Sequence, residues 1–330
     1  MESTTKLKLN RTEIERICSV TFPNTGKLKL AEELTEGWAN SAYLITLEDD
    51  TKVVAKIAAS TDSFMRYERN LMRAEVEVLR LLESSGFPIA PRVIYHDATK
   101  SIIESEYFLM SYIPGQSLNK IKNELSESTL TEIYQQLGAY NREMNEIKGD
   151  GFGYYAQEER RKSTWREAFF LMLDDHFADA EERGVQLPVP GTEMRAAMYR
   201  LADALDEVTE PRLIIWDLWD GNVMIESNKI SGLIDFERAF WGDPLMEYHF
   251  NHKNEVTDFR VGYGRDVVTE AEHKRRALYD VYLDLILCVE CAYRGYTDTN
   301  YLKWASDNLV QSWEQFIRQY PYHSDSDTRS

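Results

Sequence analysis

Two aspartates and one asparagine follow short apolar runs within a single segment of the chain. Asp217 comes directly after the apolar run 213–216, and Asn222 stands five positions later. Residues 223–234 contain two β-branched runs around a polar turn, a pattern that predicts a hairpin, and Asp235 directly follows it. The sequence therefore predicts two carboxylates and an amide supported by short apolar strands.

This set of side chains fits the chemistry of phosphoryl transfer. Mg²⁺ bound to ATP phosphates takes oxygen ligands, among them one or two carboxylates. In protein kinases the catalytic Asp and a metal-binding Asn are spaced as D-x-x-x-x-N, and a later Asp also holds metal. The spacing predicts Asp217 as the base that accepts the hydroxyl proton, with Asn222 and Asp235 as Mg²⁺ ligands. The alternative is an ordinary turn, in which Asp and Asn act as loop formers.

The same segment resembles the aminoglycoside phosphotransferase and choline kinase superfamily of small-molecule kinases. Its members carry His-Gly-Asp-Leu-His-x-Gly-Asn, then Ile-Asp-Trp/Phe-Glu, then Gly-Asp-Pro. The matching residues here are Asp217, Leu218, Gly221 and Asn222, then Ile234 to Glu237, then Gly242 to Pro244. This chain departs from the first motif at Ile215, which replaces the family's His, and at Trp216, which takes the Gly position. The resemblance implies an α+β, bilobal protein-kinase-like fold that uses ATP and Mg²⁺, with an antiparallel-sheet N-lobe and a mainly helical C-lobe.

Lys56 lies in a predicted strand, 52–57, whose Val-Ala-Lys sequence is of the type that supplies the phosphate-binding lysine of kinases. A helix is predicted over 63–85, and Glu75 falls on its apolar stripe. A buried carboxylate is costly unless it is paired, so we expect an ion pair with Lys56. That pair would direct the lysine toward the α- and β-phosphates. The alternative for Lys56 is a solvated strand position.

The resemblance also implies a loop over the ATP phosphates and a hinge that contacts adenine through its main chain. The loop, 37–41, has a single glycine, so an ordinary hairpin loop is the alternative. The hinge would lie at the end of the strand 107–113, before Pro114 and Gly115. The candidate nucleotide-binding residues in these two segments are Gly37, Asn40, Ser41, Ser111, Tyr112 and Ile113.

The rest of the chain is predicted to be mostly helical, which suggests an N-lobe at 1–113 and a C-lobe at 114–330. Apolar periodicity predicts helices over 129–147, 164–183, 192–208, 273–294 and 301–319. The last two carry many aromatic residues, which could form core or line an acceptor pocket together with Asp284 or Glu290. The pair Cys288 and Cys291 has no second metal-binding pair or His cluster, which favours core packing.

Composition excludes several partners. The net charge is −18, which disfavours nucleic acid and suits a cationic small molecule. The sequence contains no run of 18 apolar residues and no secretory apolar core, so we expect a soluble, cytoplasmic protein with no membrane partner. Three cysteines argue against a disulfide framework.

Two further acids have two interpretations each, and a third has one. Asp220 could reach the acceptor or be solvated in its loop, and Glu237 could support the metal or the acceptor. Asp243 is predicted to cap the helical turn that begins at Pro244.

The resulting prediction is an ATP-dependent phosphotransferase that acts on a hydroxyl of a small molecule, an aminoglycoside-like antibiotic or a metabolite. The missing Gly-rich loop pattern and the absence of an Ala-Pro-Glu segment argue against a protein kinase. The alternative is a nucleotide-binding pseudokinase with a regulatory or scaffolding role, because Ile215 replaces the family's His.

Overall fold

The computed structural model describes residues 7–35, 40–59, 64–253 and 256–321. The chain divides into two compact units. The first comprises Met1–Ser63, Asn70–Leu130 and Asp217–Arg238, and the second comprises Phe64–Arg69, Thr131–Trp216 and Ala239–Ser330. The lobe boundary at 113/114 stays a prediction.

The first unit contains a five-stranded antiparallel sheet, with strand order β1-β2-β3-β5-β4, and a short helix that packs on it. The elements are α1 (Arg11–Thr21), β1 (Leu28–Leu34), β2 (Ser41–Leu47), β3 (Lys52–Ile57), α2 (Leu71–Ser84), β4 (Val93–Asp97) and β5 (Tyr107–Ser111). Val53, Ala55 and Ile57 share one apolar cluster with residues of α1. Because side chains alternate along a strand, Lys56 points to the opposite face.

The helix predicted over 63–85 is shorter than expected: α2 begins at Leu71. Residues Arg66–Glu68 form a separate 3-10 turn that belongs to the second unit. Glu68 accepts the backbone N–H of Met65 at 2.9 Å and forms a buried ion pair with Arg294. Asn70, with φ 64°, then interrupts the helical path. The distant partner Arg294 explains why the local pattern extended the helix too far.

A second, three-stranded sheet of the first unit has the order β10-β9-β6. Its elements are β6 (Gln116–Ser117), α3 (Leu118–Ile121), β9 (Val223–Glu226) and β10 (Lys229–Leu233). The predicted hairpin is confirmed, and Ser227 and Asn228 make its turn with φ of 51° and 62°. Gly115 lies against this hairpin, and a Cβ there would be 2.2 Å from the carbonyl oxygen of Ile225, so only glycine fits.

The second unit is mainly helical, as the sequence predicted. Its elements are α4 (Glu127–Met144, whose first residues lie in the first unit), β7 (Gly153–Tyr154), α5 (Trp165–Arg183), α6 (Gly191–Tyr199), β8 (Arg212–Ile214), β11 (Phe240–Gly242), α7 (Thr257–Tyr263), α8 (Glu270–Arg294) and α9 (Thr299–Gln319). The helix predicted over 192–208 ends at Tyr199, and Ala202–Glu207 forms a 3-10 helix.

Aromatic side chains of α5 and α8 form the core of this unit. Trp165 donates from its indole nitrogen to the Tyr279 hydroxyl at 2.6 Å, and its ring stacks with Phe240.

Asp284 is buried in an ion pair with Lys253, and Glu290 accepts the Tyr67 hydroxyl at 2.8 Å.

All three cysteines, Cys18, Cys288 and Cys291, are free and buried. This agrees with the core-packing interpretation of the pair on α8.

The predicted α+β fold class is confirmed by the antiparallel sheet and the helical C-terminal region. Among the described residues, no helix combines the length and apolarity needed to cross a bilayer.

Candidate active site

Lys56 occupies the centre of a carboxylate cluster in the first unit. Its Nζ donates to both oxygens of Glu75, at 2.8 and 2.6 Å, and to Oδ1 of Asp235 at 2.9 Å. Oε2 of Glu237 lies 3.8 Å from the same nitrogen. The expected ion pair between Lys56 and Glu75 is therefore present, and Asp235 shares it.

Burial and the charge of the partner groups shift the pKa values of Lys56 and Glu75 in opposite directions. Burial by itself would lower the pKa of Lys56, but Asp235, Glu75 and Glu237 outweigh it and raise that pKa above its usual value. Burial raises the pKa of Glu75 to about 7, although Lys56 pulls it in the other direction. The lysine is therefore held in its charged form, which is the form that binds phosphate.

The carboxylates of this cluster are of the ligand type that a divalent cation requires. Glu75, Asp235 and Glu237 each offer a carboxylate oxygen within 4.8 Å of the others. One ammonium group faces these three carboxylates, so additional positive charge would be stabilised nearby. Hard oxygen donors are the ligands that Mg²⁺ prefers. The donor set therefore fits Mg²⁺.

Asp235 directly follows the strand pair and has unusual backbone geometry. Its φ is 68°, in the left-handed region that non-glycine residues rarely adopt. Its side chain is 33% exposed, whereas that of Glu75 is 1% exposed. A partly open carboxylate beside a buried ion pair can exchange a protein partner for a ligand. Strained geometry of this kind clusters at functional sites.

The turn from Asp217 to Asn222 is closed by a hydrogen bond between its last side chain and its first carbonyl. Asn222 donates from Nδ2 to the carbonyl of Asp217 at 2.8 Å, so its side-chain oxygen is the atom suited to a metal. The N–H of Ile234 donates to the carbonyl of Asn222 at 3.0 Å, which joins the turn to the hairpin. A Cβ at Gly221 would be 2.2 Å from the Trp219 ring, so a larger residue there would displace that ring.

Two cationic side chains that were not predicted from the sequence lie beside this turn. Arg238 places Nε 3.7 Å from Oδ2 of Asp217, whose side chain is 29% exposed. Lys122 donates to Oδ2 of Asp220 at 2.9 Å, so Asp220 is paired. Arg238 directly follows the Ile-Asp-Phe-Glu motif, but nothing in the local sequence indicates that it returns to Asp217.

The loop candidates have different surroundings. Gly37 lies outside the described residues. Asn40 donates to Oε2 of Glu237 at 2.7 Å and accepts the N–H of Ala59 at 3.2 Å. Ser41 begins β2 and is 1% exposed. Asn40 thus links the loop to the carboxylate cluster.

The hinge candidates follow β5. The N–H of Ser111 donates to the carbonyl of Arg92 at 2.9 Å, so that donor is already used within the sheet. Tyr112 and Ile113 are half-buried, and the ammonium of Lys52 lies 5.4 Å from the centre of the Tyr112 ring.

In the second unit, Glu247 is a functional candidate that the sequence analysis missed. Its carboxylate, 1% exposed, accepts the backbone N–H of Ile215 at 3.0 Å and of Trp216 at 2.9 Å. Asn145 donates to it at 2.7 Å and is itself held by the Tyr263 hydroxyl at 2.7 Å. Glu247 therefore fixes the backbone that leads into Asp217.

The backbone that Glu247 holds is strained. Trp216 has φ 65°, a conformation that costs a non-glycine residue about 1–2 kcal/mol. This is the position at which the resembling family carries Gly.

Asp243, the predicted cap, accepts the N–H of Leu245 at 3.1 Å, and it also accepts from Arg275 and the Tyr279 hydroxyl. The capping prediction for Asp243 is confirmed, although the turn is 3-10.

Replacement of Glu247 by alanine should lower the free energy of unfolding by about 3 kcal/mol or more. The change leaves two buried N–H groups and one buried amide without their acceptor, at about 1–3 kcal/mol each. Urea denaturation measures the effect. Glu247→Gln keeps one acceptor oxygen and should lose less. An unchanged urea midpoint in the alanine variant would show that these hydrogen bonds contribute nothing to the fold.

Comparisons with known proteins identify the family and the fold of this chain. The model of the phosphotransferase enzyme family (APH) matches residues 31–277, about three quarters of the chain. No curated protein matches the sequence.

Solved structures show the same fold at low sequence identity. The streptomycin–ATP ternary complex of APH(2'')-IIa is 17% identical, with a TM-score of 0.61 and coverage of 92% of this chain and 97% of that one. ADP-bound aminoglycoside phosphotransferase APH(2'')-Ib is 16% identical, with a TM-score of 0.58 and coverage of 94% and 99%. A thermostable mutant of aminoglycoside phosphotransferase APH(4)-Ia is 17% identical, with a TM-score of 0.59 and coverage of 90% and 97%. The extent of the family match shows that this chain belongs to the phosphotransferase enzyme family.

Proposed function

We propose that this protein is an ATP-dependent kinase that transfers the γ-phosphoryl group to a hydroxyl of a small molecule. The observation that supports this most is the position of Lys56, shared between Glu75 and Asp235. A charged lysine that is oriented by a buried glutamate and lies next to a metal-type aspartate is the arrangement kinases use for nucleotide phosphates. Family membership agrees with it.

Asp217 is the proposed base. Its carboxylate would accept the proton of the attacking hydroxyl as the phosphoryl group transfers in line. Arg238, 3.7 Å away, would fix the direction of that carboxylate, and Glu247 would fix the backbone before it. Positioning of this kind is the main catalytic contribution in phosphoryl transfer, because there is little covalent chemistry for the protein to do.

Asn222 and Asp235 are the proposed Mg²⁺ ligands, and Glu237 would support them through Asn40. Bound Mg²⁺ would neutralise charge on the β- and γ-phosphates. Lys56 would bind the α- and β-phosphates, taking its orientation from Glu75. Tyr112 and Ile113 would offer main-chain groups to adenine, because the N–H of Ser111 already has a partner. Gly37, Asn40 and Ser41 would belong to the loop over the phosphates.

The family and the net charge both support a class of acceptor to test first. Structures of similar fold include complexes with gentamicin and with hygromycin B. The net charge of −18 also favours a cationic molecule. An aminoglycoside-like antibiotic or a hydroxylated metabolite is therefore the first class to test, and a cytoplasmic location suits both. The scaffolding alternative has no specific observation in its favour, since this chain keeps each residue type that the chemistry requires.

A turnover assay tests the proposal. The protein is incubated with ATP and Mg²⁺ against aminoglycosides, macrolides, choline, amino sugars, neutral sugars and nucleosides, and products are identified by mass spectrometry. We expect one class to yield a phosphorylated product with one ADP released per transfer. Magnesium-dependent nucleotide binding without product from any class would instead favour a binding protein.

A further inference from the structure

Residues 64–69, called the strap below, precede α2 in the chain but belong to the second unit. The first unit resumes at Asn70, and α2, which carries Glu75, begins directly after it. Lys56 lies on β3, before the strap. The chain therefore leaves the first unit and returns to it between Lys56 and Glu75, the two members of the proposed phosphate-binding pair.

Side chains of the second unit bind the main chain of the strap. Gln157 donates from Nε2 to the carbonyls of Arg66 and Tyr67, both at 3.2 Å. Asp179 on α5 accepts the backbone N–H of Arg66 at 3.0 Å and forms an ion pair with its guanidinium. Because backbone groups take part in these bonds, the bonds fix the path of the chain as well as its side chains.

Helix α8 holds two side chains of the strap. The Tyr67 hydroxyl donates to Oε1 of Glu290 at 2.8 Å. Glu68 forms an ion pair with Arg294, and these two side chains are 1% and 2% exposed. Loss of one member of a buried ion pair leaves the other charge out of water without its partner, so this contact is costly to break.

The path from the strap to Glu75 is short. Asn70, whose φ is 64°, lies between the 3-10 turn of the strap and α2. Its carbonyl accepts the N–H of Ala74 at 2.9 Å, which joins it to the first turn of the helix. Glu75 is the fifth residue of α2, about 6 Å along the helix axis from Leu71. A shift of the strap would therefore shift Glu75.

We infer that the ion pair between Glu68 and Arg294 positions Glu75, and through it Lys56, for the phosphates of the nucleotide. Arg294 is thus a positioning residue in the second unit that acts through the strap and α2. The inference rests on the proposed function, because it takes Lys56 as the residue that binds nucleotide phosphates.

The carboxylate cluster explains why the position of Glu75 matters for the nucleotide. Lys56 donates to Glu75 at 2.6 and 2.8 Å and to Asp235 at 2.9 Å. If Glu75 is displaced, the ammonium keeps Asp235 as its partner and turns toward it. The lysine then loses its direction toward the phosphates and competes with Mg²⁺ for the carboxylate of Asp235.

Calorimetry with the full-length protein, Mg²⁺ and a non-hydrolysable ATP analogue tests the inference without any turnover. Arg294→Met should weaken nucleotide binding by about tenfold, and Arg294→Lys, which keeps the charge, should lose less. Tyr67→Phe removes one hydrogen bond of the strap and should weaken binding by about threefold. This milder variant keeps the test valid if Arg294→Met does not fold.

Arg275→Met is the matched control. Arg275 also lies on α8, its side chain is 5% exposed, and it pairs with the buried Asp243. Its further partners, Glu207 and the carbonyl of Ala204, lie outside the strap as well. Both arginine variants should be less stable in urea, but only Arg294→Met should bind the nucleotide more weakly. A purely structural role of Arg294 would not produce this difference.

A second background shows whether the effect passes through Glu75. Glu75→Gln should itself weaken nucleotide binding by about tenfold, because the lysine loses its charged partner on α2. Arg294→Met should then cause little further loss in the Glu75→Gln protein, since residues that act in one chain of contacts are not additive.

Three results would overturn the inference while the wild type still binds the nucleotide. Arg294→Met and Tyr67→Phe could both bind as the wild type does, Arg275→Met could lose as much affinity as Arg294→Met, or the loss could remain in full in the Glu75→Gln background. Failure of the proposed function would appear differently, as a wild type that binds no nucleotide, and that result would end both proposals.

Discussion

An Asp217→Asn variant is expected to lose about 10²–10⁴-fold in kcat, the usual contribution of a general base. Asparagine keeps the shape of the side chain but cannot accept the hydroxyl proton. The affinity for the nucleotide should change little, because the phosphates and the metal are assigned to other residues. Steady-state kinetics give kcat, and calorimetry with a non-hydrolysable ATP analogue gives the nucleotide Kd.

Asp49→Asn is the matched control for this measurement. Asp49 is exposed, and its side chain accepts the N–H of Thr51 at 3.0 Å, which asparagine can also do. The control should keep wild-type kinetics. A near-normal kcat in Asp217→Asn would show that another group accepts the proton. An equal loss of nucleotide affinity would instead place Asp217 among the phosphate or metal contacts.

A Lys56→Met variant should lose both nucleotide affinity and stability. It removes the proposed phosphate contact and leaves Glu75, which is fully buried, without its cation. Breaking a buried pair on one side costs about 3–5 kcal/mol. Urea denaturation measures the free energy of unfolding, and calorimetry measures nucleotide binding.

The loss of stability in the Lys56→Met variant should become larger as the pH rises. Burial already raises the pKa of Glu75 to about 7, and removing Lys56 raises it further. The native state then binds more protons than the unfolded state, so its stability falls as pH rises from about 4.5 through 7 and beyond. We expect the variant to be closest to the wild type near pH 5 and least stable near pH 8.

The double variant Lys56→Met/Glu75→Gln separates the two effects. With both charges removed, much of the lost stability should return, while nucleotide affinity stays low. Full recovery of nucleotide binding in the double variant would exclude a phosphate-binding role for Lys56. If the stability loss in Lys56→Met does not change with pH, Glu75 is not the carboxylate that has lost its positively charged partner.

The sequence predicted the parts of the fold that depend on local pattern. The strand Lys52–Ile57 has the bounds expected from its β-branched alternation, and the hairpin after Asn222 follows from two apolar runs around a polar turn. The pairing of Lys56 with Glu75 was predictable as well, because an acid on an apolar helix stripe requires a cation.

The features that the sequence did not predict depend on contacts between distant residues. Glu247 acts on a backbone segment 31 and 32 residues earlier, and Arg294 holds Glu68 across 226 residues. The strain at Trp216 is a property of the folded chain, with no local signal in sequence.

The most direct test of the central claim is Mn²⁺ binding, measured by electron paramagnetic resonance with a non-hydrolysable ATP analogue. Mn²⁺ stands in for Mg²⁺ and takes similar oxygen ligands. We predict that the wild type and Asp217→Asn bind the metal–nucleotide complex equally well, while Asp235→Asn loses about tenfold or more in metal affinity. Wild-type Mn²⁺ affinity in Asp235→Asn, or no nucleotide-dependent Mn²⁺ binding in any form of the protein, would contradict the account.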